Sequence, residues 1–390
     1  MTSFRLWQYL TTTFNKSSRS WAWEARVLQW LTLLWLIVGL IVLFSASYNV
    51  AQDSLGNGLY YFRTQIIWIG LGLIAFNLLV NLPLRYILNI AEVFVVFFLV
   101  LIIATLLPGL GTTAYGASRW LVIGPIGIQP SELMKPFLVL QSARIFGRWH
   151  HLAPVTRWGW LSVFAAVLIC ILLQPNLSTA ALCGMVIWFI ALASGLPLHY
   201  VGGAAAGGLL LATISVSFQG YQRRRLVTFL NPWRDPTGDG FQLIQSLLAI
   251  GSGGPFGVGF GMSQQKLFYL PIQYTDFIFA VFAEEFGFLG CFLLLSFLAV
   301  YATIGLRVAI RAKRRVYQLV AIGSVTLLIG QSLLNIGVAT GALPTTGLPF
   351  PMLSYGGSSM IASLIFAALL IRVAREGREA DVIPLQPTSR

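Results

Sequence analysis

Long apolar runs, broken by short basic or glycine-rich stretches, recur along most of this chain. They lie near 28–47, 65–82, 87–107, 133–147, 159–174, 177–196, 200–218, 277–303, 317–338 and 358–373. A helix that crosses a bilayer needs about 20 mainly apolar residues, and a shorter one can serve beside a polar loop. In lipid the backbone must satisfy its own N–H and C=O groups, so such runs are helices and not open strands. The pattern predicts an all-α polytopic integral membrane protein with about ten transmembrane helices. Only 9 % of the 390 residues are charged and 57 % are hydrophobic. That excludes an ordinary soluble enzyme and a disordered chain.

The formal net charge is +13. In a soluble protein such an excess points to nucleic acid. In a membrane protein it first points to cytoplasmic loops, which collect Lys and Arg. An even number of spans puts both termini on one side. With that side cytoplasmic, 17 of the 25 Lys and Arg lie inside, densest in RVAIRAKRR at Arg307–Arg315. The other eight are Arg63, Arg119, Lys135, Arg223, Arg224, Arg225, Arg234 and Lys266. The rule therefore places both termini in the cytoplasm, and no nucleic-acid partner is expected. The eight outer cations are the exceptions that need a reason.

Residues 1–27 read as a cytoplasmic basic and aromatic segment, either a helix on the anionic inner leaflet or a disordered tail. The first 20 residues are polar and basic, and the first apolar run is long enough to stay as a span. No cleavable signal peptide is therefore expected. Residues 28–375 form the transmembrane domain, and 376–390 a cytoplasmic tail. Cys170, Cys183 and Cys291 lie in apolar runs without metal-ligand spacing and read as packing residues.

Between the seventh and eighth spans, 219–276 forms a large extracytoplasmic loop. It contains turn chemistry in NPWRDPTGDG, helical spacing in FQLIQSLLAIG and a glycine run in SGGPFGVGFG. The glycine run lacks a Lys-Ser/Thr ending and a preceding strand, so it reads as close packing or membrane re-entry, not as a phosphate loop. His150, His151 and His199 fall on the inner side, so no Ser/His/Asp triad is expected outside.

Five strings carry a resemblance. They are GASRWLVIGPIGIQPSELMKP (Gly116–Pro136), RRRLVTFLNPWRDPTGDGFQLIQS (Arg223–Ser246), GMSQQKLFYLP (Gly261–Pro271), TDFIFAVFAEEFGFLG (Thr275–Gly290) and NIGVATGALPTTGLPFPMLSYGGSS (Asn335–Ser359). In these the chain closely resembles the SEDS family (shape, elongation, division and sporulation proteins), and its FtsW branch more than its RodA branch. The resemblance implies ten helices with both termini inside. It implies a glycosyltransferase that polymerises lipid II into peptidoglycan on the outer face of the cytoplasmic membrane, at the division septum. It also implies a class B penicillin-binding protein, a transpeptidase, as partner, together with divisome proteins.

That chemistry needs a base for the attacking sugar hydroxyl and cations for the leaving pyrophosphate, at the outer surface. Asp276 fits the base, where the large loop meets the eighth span, and the family's catalytic Asp falls at this TDF motif. It is also placed to cap that helix. Arg119 and Lys135 are candidates for the pyrophosphate, with Glu132 orienting Lys135 and with Arg63 and Lys266 able to join them. Glu284 and Glu285 lie about 12 Å deeper, as intramembrane acids that hold a cation, tune the site or brace the bundle. Ser263, Gln265 and Ser354 are polar groups able to hydrogen-bond the substrate. Arg223–Arg225 read as a structural basic run that attracts phosphate. Two departures remove carboxylates that the family commonly carries: QPNLST has Asn176 and Ser178, and YLP is followed by Ile272 and Gln273. A preformed metal site is therefore not expected, and Mg²⁺ or Mn²⁺ would come shared with the pyrophosphate. The rival readings are a lipid II flippase, a scaffold that recruits the crosslinking enzyme, and a RodA-like elongation polymerase.

Overall fold

A computed structural model describes residues 21–379 apart from 110, 115, 116, 125, 219 and 268. The N-terminal segment 1–20 and the tail 380–390 lie outside the described residues. Helices fall on all ten apolar runs. They are α1 (Trp23–Leu55), α2 (Tyr60–Asn81), α3 (Leu84–Leu106), α4 (Pro130–Phe146), α5 (Pro154–Leu173), α6 (Leu177–Ala193) and α7 (Leu198–Phe218). The short α8 (Gly220–Leu230) and α9 (Phe241–Ser252) follow, and then α10 (Ile278–Arg311). Next, α11 (Arg315–Val325) passes through a π-turn at Thr326–Gly330 into α12 (Gln331–Ala339), and α13 (Gly357–Glu379) closes the bundle. Among the described residues, eight membrane-length apolar helices are present, counting α11 to α12 as one. At 17 residues each, α4 and α6 are shorter. The protein is an all-α polytopic membrane protein.

Local chemistry sets the ends. Pro130 and Pro154 open α4 and α5 at the position where a missing N–H costs nothing. Asn176 caps α6, its Oδ1 accepting from Thr179 N at 3.3 Å. The first helix starts five residues before its apolar run, because Glu24 is buried and ion-paired with Arg311 at the end of α10. At the core sits α13, with 94 % of its apolar stretch buried, against 6 % for the peripheral α7. Its C-terminal Glu376 accepts from Leu84 N at 2.6 Å and so caps α3.

Two features of the loops differ from the simplest reading of the sequence. Between α3 and α4 the chain forms a small antiparallel sheet, β1 (Thr112–Ala114), β2 (Ala117–Ile123) and β3 (Ile126–Ile128), in that order. Within the large loop, α8 almost continues α7, so Arg223–Arg225 stand on a helix.

The glycine run packs against a break in α10. The helix is interrupted at Gly287, with φ 64° and ψ −164°. A break there strands carbonyls above it and N–H groups below it, and in a membrane no water satisfies them. The loop supplies the partners. Val258 N and Gly259 N donate to the carbonyls of Glu284 and Glu285 at 3.0 and 3.1 Å. Phe288 N and Leu289 N donate to the carbonyls of Gly254 and Pro255 at 2.8 and 3.0 Å. The contact is backbone on backbone: a Cβ on Gly257 would lie 2.1 Å from Glu285 O. Gly257→Ala should therefore cost about 1–3 kcal/mol from backbone strain and displacement. Gly70→Ala, on an open helix face, should stay within about 0.5 kcal/mol. Thermal unfolding of the purified protein in detergent compares the two.

Candidate active site

Asp276 lies two residues before α10, on a segment pinned by the loop that joins α12 to α13. Asn335 Nδ2, from α12, donates to the Asp276 carbonyl at 2.8 Å and to the Leu348 carbonyl at 2.9 Å. Ser354 Oγ donates to the Thr275 carbonyl and accepts from Phe350 N at 2.8 Å. Tyr355 N donates to the Tyr274 carbonyl at 2.9 Å. These bonds fix the Asp276 backbone and leave its carboxylate as the variable part.

The carboxylate is half-buried and faces Gly347. A Cβ built on Gly347 would stand 3.5 Å from Asp276 Oδ2 and 4.0 Å from both terminal nitrogens of Arg225. Acid and guanidinium thus flank the same glycine on the 340–356 loop, whose Thr345 carbonyl accepts from Arg225 Nη1 at 3.0 Å. Arg225 turns inward from α8, while Arg223 and Arg224 are exposed. Desolvation raises the Asp276 carboxyl above the usual carboxylate range. The Arg225 charge, the Thr275 hydroxyl and the Arg119 charge each pull it back down. A partly desolvated carboxylate flanked by two arginines can accept a proton next to a place that attracts an anion.

The other expected residues fall into distinct places. Arg119, on β2, donates through Nε to the Gln174 carbonyl at 3.1 Å and through Nη2 to the Pro175 carbonyl. It ties the small sheet to the α5–α6 turn, and its field reaches Asp276. Arg63 is exposed on the first turn of α2. Two residues earlier, Tyr61 stacks on Tyr274 with ring centres 4.5 Å apart, so that helix end borders the Asp276 segment.

Lys135 is expected at the outer surface but is 1 % exposed inside the bundle. It pairs with Glu132 at 2.7 Å and donates to Gln331 Oε1 at 3.2 Å. Gln331 Nε2 in turn donates to the Pro349 carbonyl at 2.7 Å, so this buried pair supports the loop that carries Gly347. Lys266 is likewise buried. It donates to Glu285 Oε1 and Ser45 Oγ, both at 2.7 Å. Glu284 accepts from Ser263 Oγ, from Gln264 N at 3.0 Å and from Gln265 N at 3.3 Å. The segment 263–266 has thus folded down from the loop to the level of the two glutamates. Uncompensated charge is costly at that depth, which is why both acids are engaged. Among the described residues no three His, Cys, Asp or Glu gather to hold a metal.

Arg225, Asn335, Gln331 and Gly347 are site residues that the sequence reading did not single out. For Arg225 a signal exists: read as a helix, RRRLVTFL spreads its three arginines 100° apart, so one can point inward.

The family model for cell cycle proteins of the FtsW/RodA/SpoVE type matches residues 25–379. The chain belongs to this family. A probable peptidoglycan glycosyltransferase FtsW from Synechocystis sp. is 57 % identical over 365 residues, covering 94 % of this chain and 93 % of that one. Stage V sporulation protein E of Bacillus subtilis is 37 % identical, over 89 % and 96 % of the two chains. Among solved structures, a peptidoglycan synthase complex studied for its coordination of polymerization and crosslinking contains a chain 31 % identical. It superposes with a TM-score of 0.72 over 92 % of this chain and 98 % of that one. The rod shape determining protein RodA of Thermus thermophilus gives 28 % and 0.67, over 91 % and 97 %. The FtsW/RodA/SpoVE fold therefore extends through more than nine-tenths of the chain.

The raised carboxyl has a consequence for stability. A folded-state pKa above the unfolded value means that stability is fully present below the usual carboxylate range. It is lost as pH rises through the raised value. Asp276→Asn should therefore melt at a higher temperature than the parent at pH 7–8, and the gap should close as pH falls towards about 4. Unfolding curves across that range check it.

Proposed function

We infer that this chain is a peptidoglycan glycosyltransferase that polymerises lipid II into glycan strands. It does so through the Asp276 carboxylate beside Arg225. That pairing, at the junction of the large loop and α10, is the observation that carries the reading. The 4-hydroxyl of one disaccharide attacks the anomeric carbon of another and inverts it. Asp276 takes the hydroxyl proton, the bond from the anomeric carbon to the pyrophosphate oxygen breaks, and undecaprenyl pyrophosphate leaves with the electron pair. Arg225 and Arg119 lie where they would neutralise the departing charge. Glu132 and Lys135, through Gln331, would hold the loop and act as positioning residues.

The finer assignments rest on the relatives' names and on charge. The FtsW name among relatives supports work at the division septum, and the neighbouring synthase complex supports a class B penicillin-binding protein as the crosslinking partner. Divisome proteins would recruit both. The density of inner cations supports cytoplasmic termini and an outer-facing Asp276. The two deep acids of α10 are already bound to Ser263 and Lys266, which favours chemistry at one face over a transport path. A Mg²⁺ or Mn²⁺ arriving with the pyrophosphate would find Asp276 as its single carboxylate ligand and would supply further charge neutralisation.

Polymerisation of lipid II by the purified protein with its transpeptidase tests the reading. Asp276→Asn should abolish polymer, and full activity would overturn the base assignment. Arg225→Gln should lower the rate about 10²–10³-fold, while Arg234→Gln, on an exposed turn, should change it little. Chelation of divalent ions should slow the reaction and leave the melting temperature unchanged; an unaffected rate would remove the metal from the scheme.

A further inference from the structure

At the end of the bundle away from Asp276 lies a cavity of about 310 Å³. It is lined by Arg85 of α3, Arg144 of α4, and Arg148, Arg314, Arg315 and Tyr317. Chain geometry places it. Beyond Asp276 and the break at Gly287, α10 continues to Arg311, well over 30 Å at the usual rise of about 1.5 Å per residue, before the turn that carries Arg314 and Arg315. The return through α11 and α12 then brings Asn335 back to the Asp276 carbonyl.

Five guanidinium groups around one small space repel each other, and neighbouring acids do little to offset them. No carboxylate lines the cavity. Among the described residues, Arg144 is the one of the five with an ion pair, to Glu92 at 3.4 Å with both side chains partly exposed. Nearby Glu376 is occupied by Arg372 and by the N–H of Leu84. Positive residues collect at cytoplasmic ends of helices, but that tendency does not require them to converge on a cavity. Here they converge because α4 ends hard against α11: a Cβ on Gly147 would stand 2.9 Å from Val316. Each guanidinium carries five N–H donors in a planar fork that matches phosphate oxygens. Arg85 donates to Tyr86 Oη and Arg314 to Tyr317 Oη, one donor each, while Arg315 uses two, to Gln318 Oε1 and the Ala193 carbonyl, and Arg144 also donates to the Leu88 carbonyl.

We propose that this arginine-lined cavity is a binding site for a phosphate group, supplied by the headgroup of an anionic phospholipid. The lipid source is favoured because α3 leads straight from the cavity into exposed apolar surface. Ile90 and Val93 are 45 % and 67 % exposed, and acyl chains can lie along them. The site stands apart from the catalytic reading and does not depend on it.

The test is thermal unfolding of the purified full-length chain in detergent, titrated with dioctanoyl-phosphatidylglycerol, dioctanoyl-phosphatidylcholine or inorganic phosphate. Phosphatidylglycerol should stabilise it saturably and phosphatidylcholine should not. In Arg148→Gln/Arg314→Gln the half-saturation concentration should rise about tenfold or more, from the loss of two charge-assisted contacts. In Arg307→Gln, a cation at the same end outside the cavity, it should not move. Should the double variant fail to fold, Arg148→Gln alone is read in the same way, with about a threefold shift expected. Saturation by inorganic phosphate at the same concentrations would keep the site and assign it to free phosphate. Equal effects of the two lipids without any effect of phosphate, or the same shift in Arg307→Gln, would overturn the proposal.

Discussion

The architecture of the outer half depends on one backbone exchange, that between the interrupted α10 and the glycine run. A transmembrane helix cannot break without partners for the groups it strands. Here four hydrogen bonds from residues 254–259 supply them. Their cost is that no side chain fits between the strands of backbone, hence the glycines at 254, 257, 259 and 287, all at positive φ. The exchange draws the large loop down into the bundle. Once it is there, Lys266 and Ser263 stand beside Glu285 and Glu284, and the chain must climb back past Asp276 to begin α10. The place of the candidate base is thus a consequence of a helix break at Gly287, further along the chain.

Electrostatics then divides the outer charges into two kinds. Deep in the bundle, charge is matched one for one: Lys135 with Glu132, and Lys266 with Glu285. Each pair is less than 5 % exposed, and in such surroundings removing one partner leaves an expensive orphan. At Asp276 the balance is different. One half-buried carboxylate meets the fields of both Arg225 and Arg119. The deep pairs give rigidity, and the arginine fields at Asp276 are what the proposed leaving-group site rests on.

Much of this was legible in the sequence. Every apolar run became a helix, and Asp276 stands at the mouth of the eighth because TD before an apolar run is both a helix start and a lone acid. The depth of Lys135 and Lys266 was not legible. A reading that ends each span where apolar residues stop puts every later cation at the surface, and it cannot see a loop re-enter. Arg225 was hidden for the same reason: three arginines in a presumed loop are equivalent, and only helix geometry makes one of them face inward. The small sheet was readable in principle. Ser118–Ile123 is rich in β-favouring residues and is followed by Gly124, which has positive φ.

The two departures from the family pattern can now be given a physical meaning. Where the family commonly has Asp, Asn176 caps α6 through its Oδ1, and an amide oxygen accepts that bond as a carboxylate does. The cap survives and the negative charge does not. Ile272 and Gln273 replace the acid that commonly follows YLP, and buried Gln273 donates to the Lys266 carbonyl at 3.1 Å, so it ties the re-entrant segment to the approach to Asp276. Again a structural bond is present without a charge. The first change keeps an acid away from Arg119, which donates to the adjoining Gln174 and Pro175 carbonyls. A carboxylate at 176 would compete with phosphate for that guanidinium. On the proposed reading, Asp276 is then the acid left for the proton, and the nearby guanidinium groups are left for the leaving group.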